Sequence, residues 1–481
     1  MRSRSLRARD ILLALVVLAA LLRLWRIGHQ SYWLDEAFTV DIVRDHFGGM
    51  LDGVRHTEST PPLYYALAWL WERVFGWHEV GLRSLSALFG VATVPVAYAA
   101  ARELFKPRAA LLGAVLVAVN PYLVWYSQEA RAYALLILLC TAALVYFLRA
   151  ERDPGDRRSL WLWAAIGALA LLTHYFAAFL LLPEAAWLVY RRRSWITAAA
   201  IALPAAVATA LLPLAIEQRD SGHTLFISHI PFGERLVSLP KKVVTGELGT
   251  PTPAIGPVAG AAVVAGALLA LFAVRGPERR GVRLLAGLVA ANLGIALLIK
   301  LFSADYFFAR NLIEVFVPAL LVLGAGFASL RLGAAPAAIA VGVALAVVVQ
   351  SSLNASLQRD DWRGLVRALG PAHSDRAIVL TPEVGKTPFA LYAGELSPFP
   401  PVGFAVPEVD VVANARPPRF APPPPPPGFR LAQVRRSDSW QLVRFVSLDR
   451  SPTGLPPPDA LRLQRDKEAI SLLQLPPRGR G

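Results

Sequence analysis

Eleven apolar runs dominate this chain, at about 11–27, 80–101, 109–126, 132–148, 160–173, 176–190, 195–216, 254–274, 284–302, 312–330 and 333–350. A helix needs roughly 18 or more apolar residues to cross a ~30 Å hydrocarbon core, where each backbone polar group must be satisfied within the segment. The pattern therefore predicts an all-α polytopic membrane protein with about 11 transmembrane helices. Only 17% of the residues are charged, against about 25% in soluble domains. The net charge of +15 could suggest nucleic acid, but the arginines sit in short clusters between the runs, as membrane topology requires. No nucleic-acid partner is expected; membrane lipids are.

Those clusters set an orientation. The N-terminal arginines, 106–108, 149–158, 191–193, 275–283 and Arg331 share one side if all eleven runs cross. The positive-inside rule makes that side cytoplasmic. The runs 160–173 and 176–190 are short for spans, yet basic residues flank the pair at both ends, which fits an even number of crossings. The basic start followed by an apolar core looks like a signal peptide, but no small-residue cleavage site precedes Trp25-Arg26, so a retained first helix is expected. Cys140 is the only cysteine and lies inside an apolar run, so no intrachain disulfide can form.

The division expected is 1–351 as the membrane domain, with 28–79 its first extracytoplasmic loop, and 352–481 as an extracytoplasmic tail. In the tail, "RDDWRGLVRAL" has a helical apolar period, "AIVL" reads as a strand and "FRLAQVRRSDSWQLVRFV" as a hairpin, which predicts a small C-terminal α/β appendage. The proline-rich segment 417–428, with "APPPPPPG" at Ala421–Gly428, is an extended spacer.

Polar chemistry gathers in the segments on the outer side. "SYWLDEAFT" places Asp35 and Glu36 where the first run ends. The same loop carries His56, Glu58, Tyr64 and Tyr65 in "HTESTPPLYYALAWLW", whose prolines interrupt a continuous helix. It is expected to fold back as a short amphipathic helix that holds the two tyrosines against a site. "NPYLVWYSQEARAYALL" supplies Glu129, Arg131 and Tyr133; an arginine at the outer end of a span opposes the charge bias, and the plain alternative is a snorkelling side chain paired to Glu129. His174 sits at the tight turn "LTHYF", where a structural role is the simpler reading. "SADYFFARNLIEVFVP" offers Asp305, Tyr306, Arg310 and Asn311. A guanidinium in a partly dry site suits bidentate phosphate binding. No nucleotide-binding glycine loop is present; "GAGFAS" lies within a span and reads as helix packing. Asp35 with Glu36 could hold a divalent cation as easily as act as a base.

In this order, "YWLDEAF", "HTESTPPLYYALAWLWERVFGWHEVGLRSLSALFG", "NPYLVWYSQEARAYAL", "LTHYF", "DYFFARNLI" and "DDWRGLV" resemble the glycosyltransferase family 39-like group of GT-C membrane glycosyltransferases. That group includes protein mannosyltransferases and the aminoarabinose transferases that modify lipid A; this sequence resembles its broad bacterial branch. The resemblance implies a GT-C-like helical bundle in the cell membrane, with its active face outside the cytoplasm. It implies a polyprenyl-phosphate sugar donor, an unidentified glycan, lipid or protein acceptor, and inversion at the anomeric centre. Asp35 matches the family's first-loop acid, proposed to activate the acceptor hydroxyl, with Glu36 beside it. Arg131 and Arg310 match positions that face the lipid phosphate, with Tyr133 and Tyr306 next to them. His56, Glu58, Tyr64, Tyr65, Glu129 and His174 are the expected substrate-side residues. The rival class is a transporter or flippase of lipid-linked sugars, which would place ionisable groups near the midplane. Glu184, beside Pro183, is the main candidate there.

Overall fold

The computed structural model describes residues 2–220, 225–247, 249, 252, 255–400, 405–415, 420–448, 453–454, 461–464 and 466–476. Residues 417–419 of the expected spacer and several positions between the runs 195–216 and 254–274 lie outside the described residues. The chain divides into two compact units, Met1–Ile27 with Asp41–Leu353, and Gly28–Val40 with Asn354–Gly481. The segment that carries Asp35 and Glu36 therefore belongs with the tail, a grouping that no local sequence pattern announces.

All eleven apolar runs lie on helices of the first unit. The helices up to Leu353, including those between the runs, are α1 (Arg2–Leu24), α2 (Leu34–Arg44, whose part up to Val40 belongs to the second unit), α3 (Phe47–Thr57), α4 (Leu63–Phe75), α5 (Glu79–Leu104), α6 (Pro107–Val119), α7 (Pro121–Ser127) and α8 (Tyr133–Arg152). After these come α9 (Arg157–Thr173), α10 (Ala177–Arg192), α11 (Trp195–Asp220), α12 (Phe232–Thr245), α13 (Ile255–Phe272), α14 (Pro277–Phe302), α15 (Phe316–Ser329) and α16 (Ala334–Leu353). Among the described residues, seven helical segments are long and apolar enough to cross a membrane, and eight if α6 and α7, bent by 53°, make one span. The protein is a multi-pass membrane protein. α9 and α10, at 17 and 16 residues, fall short of that length, as their short runs foretold.

Polar side chains cross-link the helices where lipid offers no hydrogen bonds. Arg23 of α1 is buried and donates to the carbonyls of Ala118 (2.9 Å) and Val117 (3.3 Å) and to Ser127 Oγ (3.3 Å). Gly90 makes this possible, since a Cβ there would overlap Ser127 and the Arg23 guanidinium. Arg83, fully buried, donates to the Ile27 carbonyl at 2.9 Å. Glu184 is buried and accepts from the Trp163 indole at 2.8 Å, and Glu314 accepts from the Asn292 amide at 2.8 Å. "GAGFAS" is indeed helix packing: a Cβ on Gly324 would overlap the Gly113 backbone, and one on Gly326 the Gly266 carbonyl. At one end the basic clusters meet two acids. Arg149 and Arg152 reach Glu103 at 2.7 Å each, while Arg191 (3.4 Å) and Arg280 reach Glu151. This draws the loops that follow α5, α8, α10 and α13 together.

The second unit is a small α/β domain with helices α17 (Trp362–Leu369) and α18 (Lys386–Ala393). Its strands are β1 (Arg376–Thr381), β2 (Ser397–Pro398), β3 (Ala405–Val406), β4 (Glu408–Asn414), β5 (Phe429–Arg436), β6 (Trp440–Ser447), β7 (Thr453–Gly454) and β8 (Ile470–Gln474). Six of them form one sheet in the order β2-β8-β1-β4-β6-β5, and β3 pairs with β7. β1 runs parallel to β4, and the hairpin β5–β6 is antiparallel, as its sequence suggested. β1 is buried on both faces, which is why it reads as a continuous apolar run rather than an alternation. Ile378 and Leu380 pack under Trp362 and Leu365 of α17, while Ala377 and Val379 face Phe445 and Leu463. β4 carries a fully buried acid, Asp410, because Arg444 lies directly across on β6 and donates Nε–H to it at 2.7 Å.

Candidate active site

In the first unit the site begins at Asn120-Pro121. The Asn120 side chain accepts from the Leu123 N–H at 3.0 Å to cap α7, and Pro121 sits in its first turn. Its amide also donates to the Val243 carbonyl of α12 at 2.9 Å. The bend aims the buried α7 across the bundle and starts a chain of ring contacts. Centroid distances are 4.6 Å for Phe316–Tyr122, 4.8 Å for Tyr122–Tyr126 and 4.8 Å for Tyr126–Tyr133. The chain continues at 5.7 Å for Tyr133–His174, 4.9 Å for His174–Phe176 and 5.4 Å for Phe176–Tyr306. Thus Tyr133, His174 and Tyr306, expected from three separate outer segments, lie along one aromatic wall. His174 also serves the turn, for its Nδ1 accepts from the Phe176 N–H at 3.3 Å.

Arg131 sits at the other edge of this wall. Its guanidinium donates to both oxygens of Glu58, at 2.5 and 2.7 Å, and the two side chains are only 9% and 3% exposed. Glu58 is therefore a carboxylate that holds the fork; Glu129, also buried, accepts from the Arg131 N–H with its backbone carbonyl at 2.8 Å. Tyr65 lies 5.9 Å beneath the guanidinium, and the Tyr65 hydroxyl accepts from Thr60 at 3.3 Å. Tyr64 and Ser86 share a hydrogen bond at 3.0 Å, and Ser86 donates to the Arg131 carbonyl at 3.3 Å. The two tyrosines of α4 thus brace Arg131 from below. His56 stands apart from this group. It is exposed, with Asp52 at 3.3 Å and Glu217 at 3.8 Å.

Arg310 is half-buried, its guanidinium 5.2 Å from the Phe226 ring and 5.7 Å from that of Phe308. Lys242 of α12 approaches the same Phe308 ring at 5.2 Å and pairs with Glu247 at 2.5 Å. Tyr126 donates to the other oxygen of Glu247 at 3.1 Å, which ties this cation pair to the aromatic wall. The charges of Arg131 and Arg310 both act on the His174 ring, so their fields overlap there. The loop before Arg310 is clamped by Arg235, which is 3% exposed and donates to both oxygens of Asp305 at 2.7 Å and to the Phe307 carbonyl at 2.8 Å. That guanidinium, helped by Lys300, holds the Asp305 carboxyl below the usual carboxylate range.

The second unit holds the acid pair. Asp35 and Glu36 fall in the first turn of α2, where the exposed N–H groups favour negative charge. Asp35 is half-buried; Glu36 is fully buried, with Arg359 Nε 3.8 Å from its Oε2. Among the described residues, no group of three His, Cys, Asp or Glu side chains is arranged to hold a metal ion.

Arg235, Lys242, Glu247, Tyr122, Tyr126 and Arg359 escaped the sequence reading. Arg235, Leu239 and Lys242 recur at i, i+4 and i+7, a helical stripe within the segment taken as an outer loop. Arg359 carried no local signal beyond its place just before "DDWRGLV".

Residues 59–216 match the family model described as dolichyl-phosphate-mannose-protein mannosyltransferase. The structure superposes on ArnT from Cupriavidus metallidurans bound to undecaprenyl phosphate, with a TM-score of 0.54 at 13% identity, covering 90% of this chain and 97% of that one. For ArnT of the same organism in the apo state, the TM-score is 0.55 at 13% identity, covering 91% and 98%. The fold is GT-C. No curated protein matches the chain by sequence. The family match runs from the loop after Glu58 through Arg131 and His174 into the last turns of α11, so it covers the wall from Tyr122 to Phe176 but not Phe316, Tyr306, Asp35 or Arg310.

Proposed function

We propose that this GT-C protein is an integral membrane glycosyltransferase that moves a sugar from a polyprenyl-phosphate donor to an extracytoplasmic acceptor with inversion. The observation that carries the donor half is the convergence of two cations, Arg310 and Lys242, on the Phe308 ring. Val243, next to Lys242, lines a small apolar pocket with Val119, Val263, Leu320, Phe327 and Ala344, and Asn120 is its polar member. Cations beside an apolar helix surface fit a ligand with an anionic head and a hydrocarbon tail. Donor and leaving group share that phosphate, so positive charge there stabilises the electron pair that departs with it. The two ArnT structures support this reading by fold, one of them being a complex with undecaprenyl phosphate.

Asp35 is the proposed base. As the acceptor oxygen bonds to the anomeric carbon, its proton passes to the Asp35 carboxylate. The bond from that carbon to the phosphate oxygen breaks, and the lipid phosphate leaves. Arg131, held on Glu58, contributes a fixed charge toward His174 at the same end of the site.

Binding of a polyprenyl phosphate to the purified protein tests the donor site. Arg310→Ala and Lys242→Ala should each weaken it about 10- to 100-fold, the worth of a charge-assisted hydrogen bond. Unchanged affinity in both would remove the phosphate from this cluster.

Sidedness has its own test. Asp52 and Asp438 are exposed, and the natural Cys140 is buried. Asp52→Cys and Asp438→Cys should label with an impermeant thiol reagent on intact cells, and Arg108→Cys only after permeabilisation. The reverse pattern would put the acids and the tail in the cytoplasm of the cell.

A further inference from the structure

We infer that Arg359, at the start of the C-terminal segment, is a positioning residue for the acid pair: it holds the buried Glu36 carboxylate, and the half-buried Asp35 beside it is the acid that meets the acceptor. The inference rests on the glycosyl-transfer reading given above.

"RDDWRGLV", Arg359–Val366, holds the segment that precedes the acids. Asp361 caps α17 by accepting from the Gly364 N–H at 2.8 Å, and it also accepts from the Ser31 hydroxyl at 3.4 Å. Ser31 Oγ in turn accepts from the Arg363 N–H at 3.0 Å. The Arg363 guanidinium donates to the carbonyls of Gly28 (3.2 Å) and His29 (2.6 Å). The Arg359 N–H donates to Gln30 Oε1 at 2.8 Å, and the Tyr32 N–H donates to the Tyr392 hydroxyl at 2.8 Å. Residues 28–32 are thus pinned along their length, directly ahead of the acids.

Within that frame Arg359 turns its own side chain to Glu36. Both are buried, at 5% and 0% side-chain exposure. A carboxylate taken out of water needs a paired cation, and removing the partner leaves an uncompensated buried charge. Neighbouring residues on a helix do not share a face. Glu36 is buried against Arg359, while Asp35, the residue before it on the helix, keeps partial access to water. Two adjacent acids therefore have two jobs, one as an anchor and one as a base.

The test is a double-mutant cycle on the full chain in liposomes: wild type, Glu36→Gln, Arg359→Gln and the double variant, with Arg359→Lys added. Misplacement of a reacting group by about 1 Å can cost ~10²-fold in rate. Each single neutral variant should therefore lose about that factor in kcat while the donor KM stays near wild type. The double should be no worse than the poorer single, and Arg359→Lys should recover most of the rate. Losses that multiply in the double variant would overturn the inference, as would a normal kcat in a folded Arg359→Gln protein. Thermal stability of the same set is read in parallel. Non-additive melting shifts are expected from a direct pair, and simple additivity would overturn it even where a variant is too unstable to assay. A wild type that transfers no sugar yet shows the coupled melting shifts would refute the glycosyl-transfer reading while leaving the pair intact.

Discussion

Asp35→Asn should abolish sugar transfer while the protein folds and binds donor as before. Asparagine preserves the shape of the side chain in the first turn of α2 but cannot take a proton. Losing general-base catalysis typically costs ~10²–10⁴-fold. The substitution leaves the Asp35 carbonyl free to accept from Thr39, a 3.2 Å bond made by the backbone, so the helix start should survive. Transfer rate and donor affinity must be measured on the same preparation. Turnover near the wild-type rate would remove Asp35 from the mechanism, whereas collapsed donor binding would recast it as a structural residue.

The second large effect is expected at Glu58. Truncating it to alanine strands the Arg131 guanidinium in a site that is almost dry, and breaking a buried pair costs about 3–5 kcal/mol. Glu58→Ala should lower the thermal midpoint well beyond any other single change in α3 to α4. Replacing both partners, as Glu58→Leu with Arg131→Met, should recover most of that stability, because swapping a buried pair for apolar groups is often neutral. The same double variant isolates function from folding. If the Arg131 charge matters to the donor end of the site, the repaired protein should be stable and still slow. A double variant as unstable as Glu58→Ala would show that the pair is not the source of the effect.

The membrane helices were legible because their requirement is one-dimensional: enough apolar residues in a row, with basic clusters between. The break at Asn120-Pro121 carries a local signal, a capping residue followed by a proline. Pairings across the fold carry none. Glu58 and Arg131 lie 73 positions apart, and the nearer Glu129 was the obvious partner by sequence. Helix α12 was missed because a membrane-edge helix needs only one apolar stripe, and Arg235 and Lys242 interrupt it as a plain loop would. In the tail, "EVDVVAN" is a central strand whose aspartate disguises it; Arg444, opposite on β6, and Arg376 of β1 at 3.6 Å make that acid tolerable inside a sheet. The assignment of Gly28–Val40 to the tail's unit rests on hydrogen bonds between distant segments, and those leave no periodic trace.

Sugar transfer from a lipid phosphate can be followed in a single assay. Protein in liposomes is given a polyprenyl-phosphate donor labelled in its sugar, together with an envelope extract from the source cells as acceptor. The account predicts that the label leaves the lipid for a product in the extract, with free polyprenyl phosphate formed in equal amount, and that Asp35→Asn stops both. Label that stays on the lipid but crosses the bilayer would contradict it and make this bundle a carrier of lipid-linked sugars.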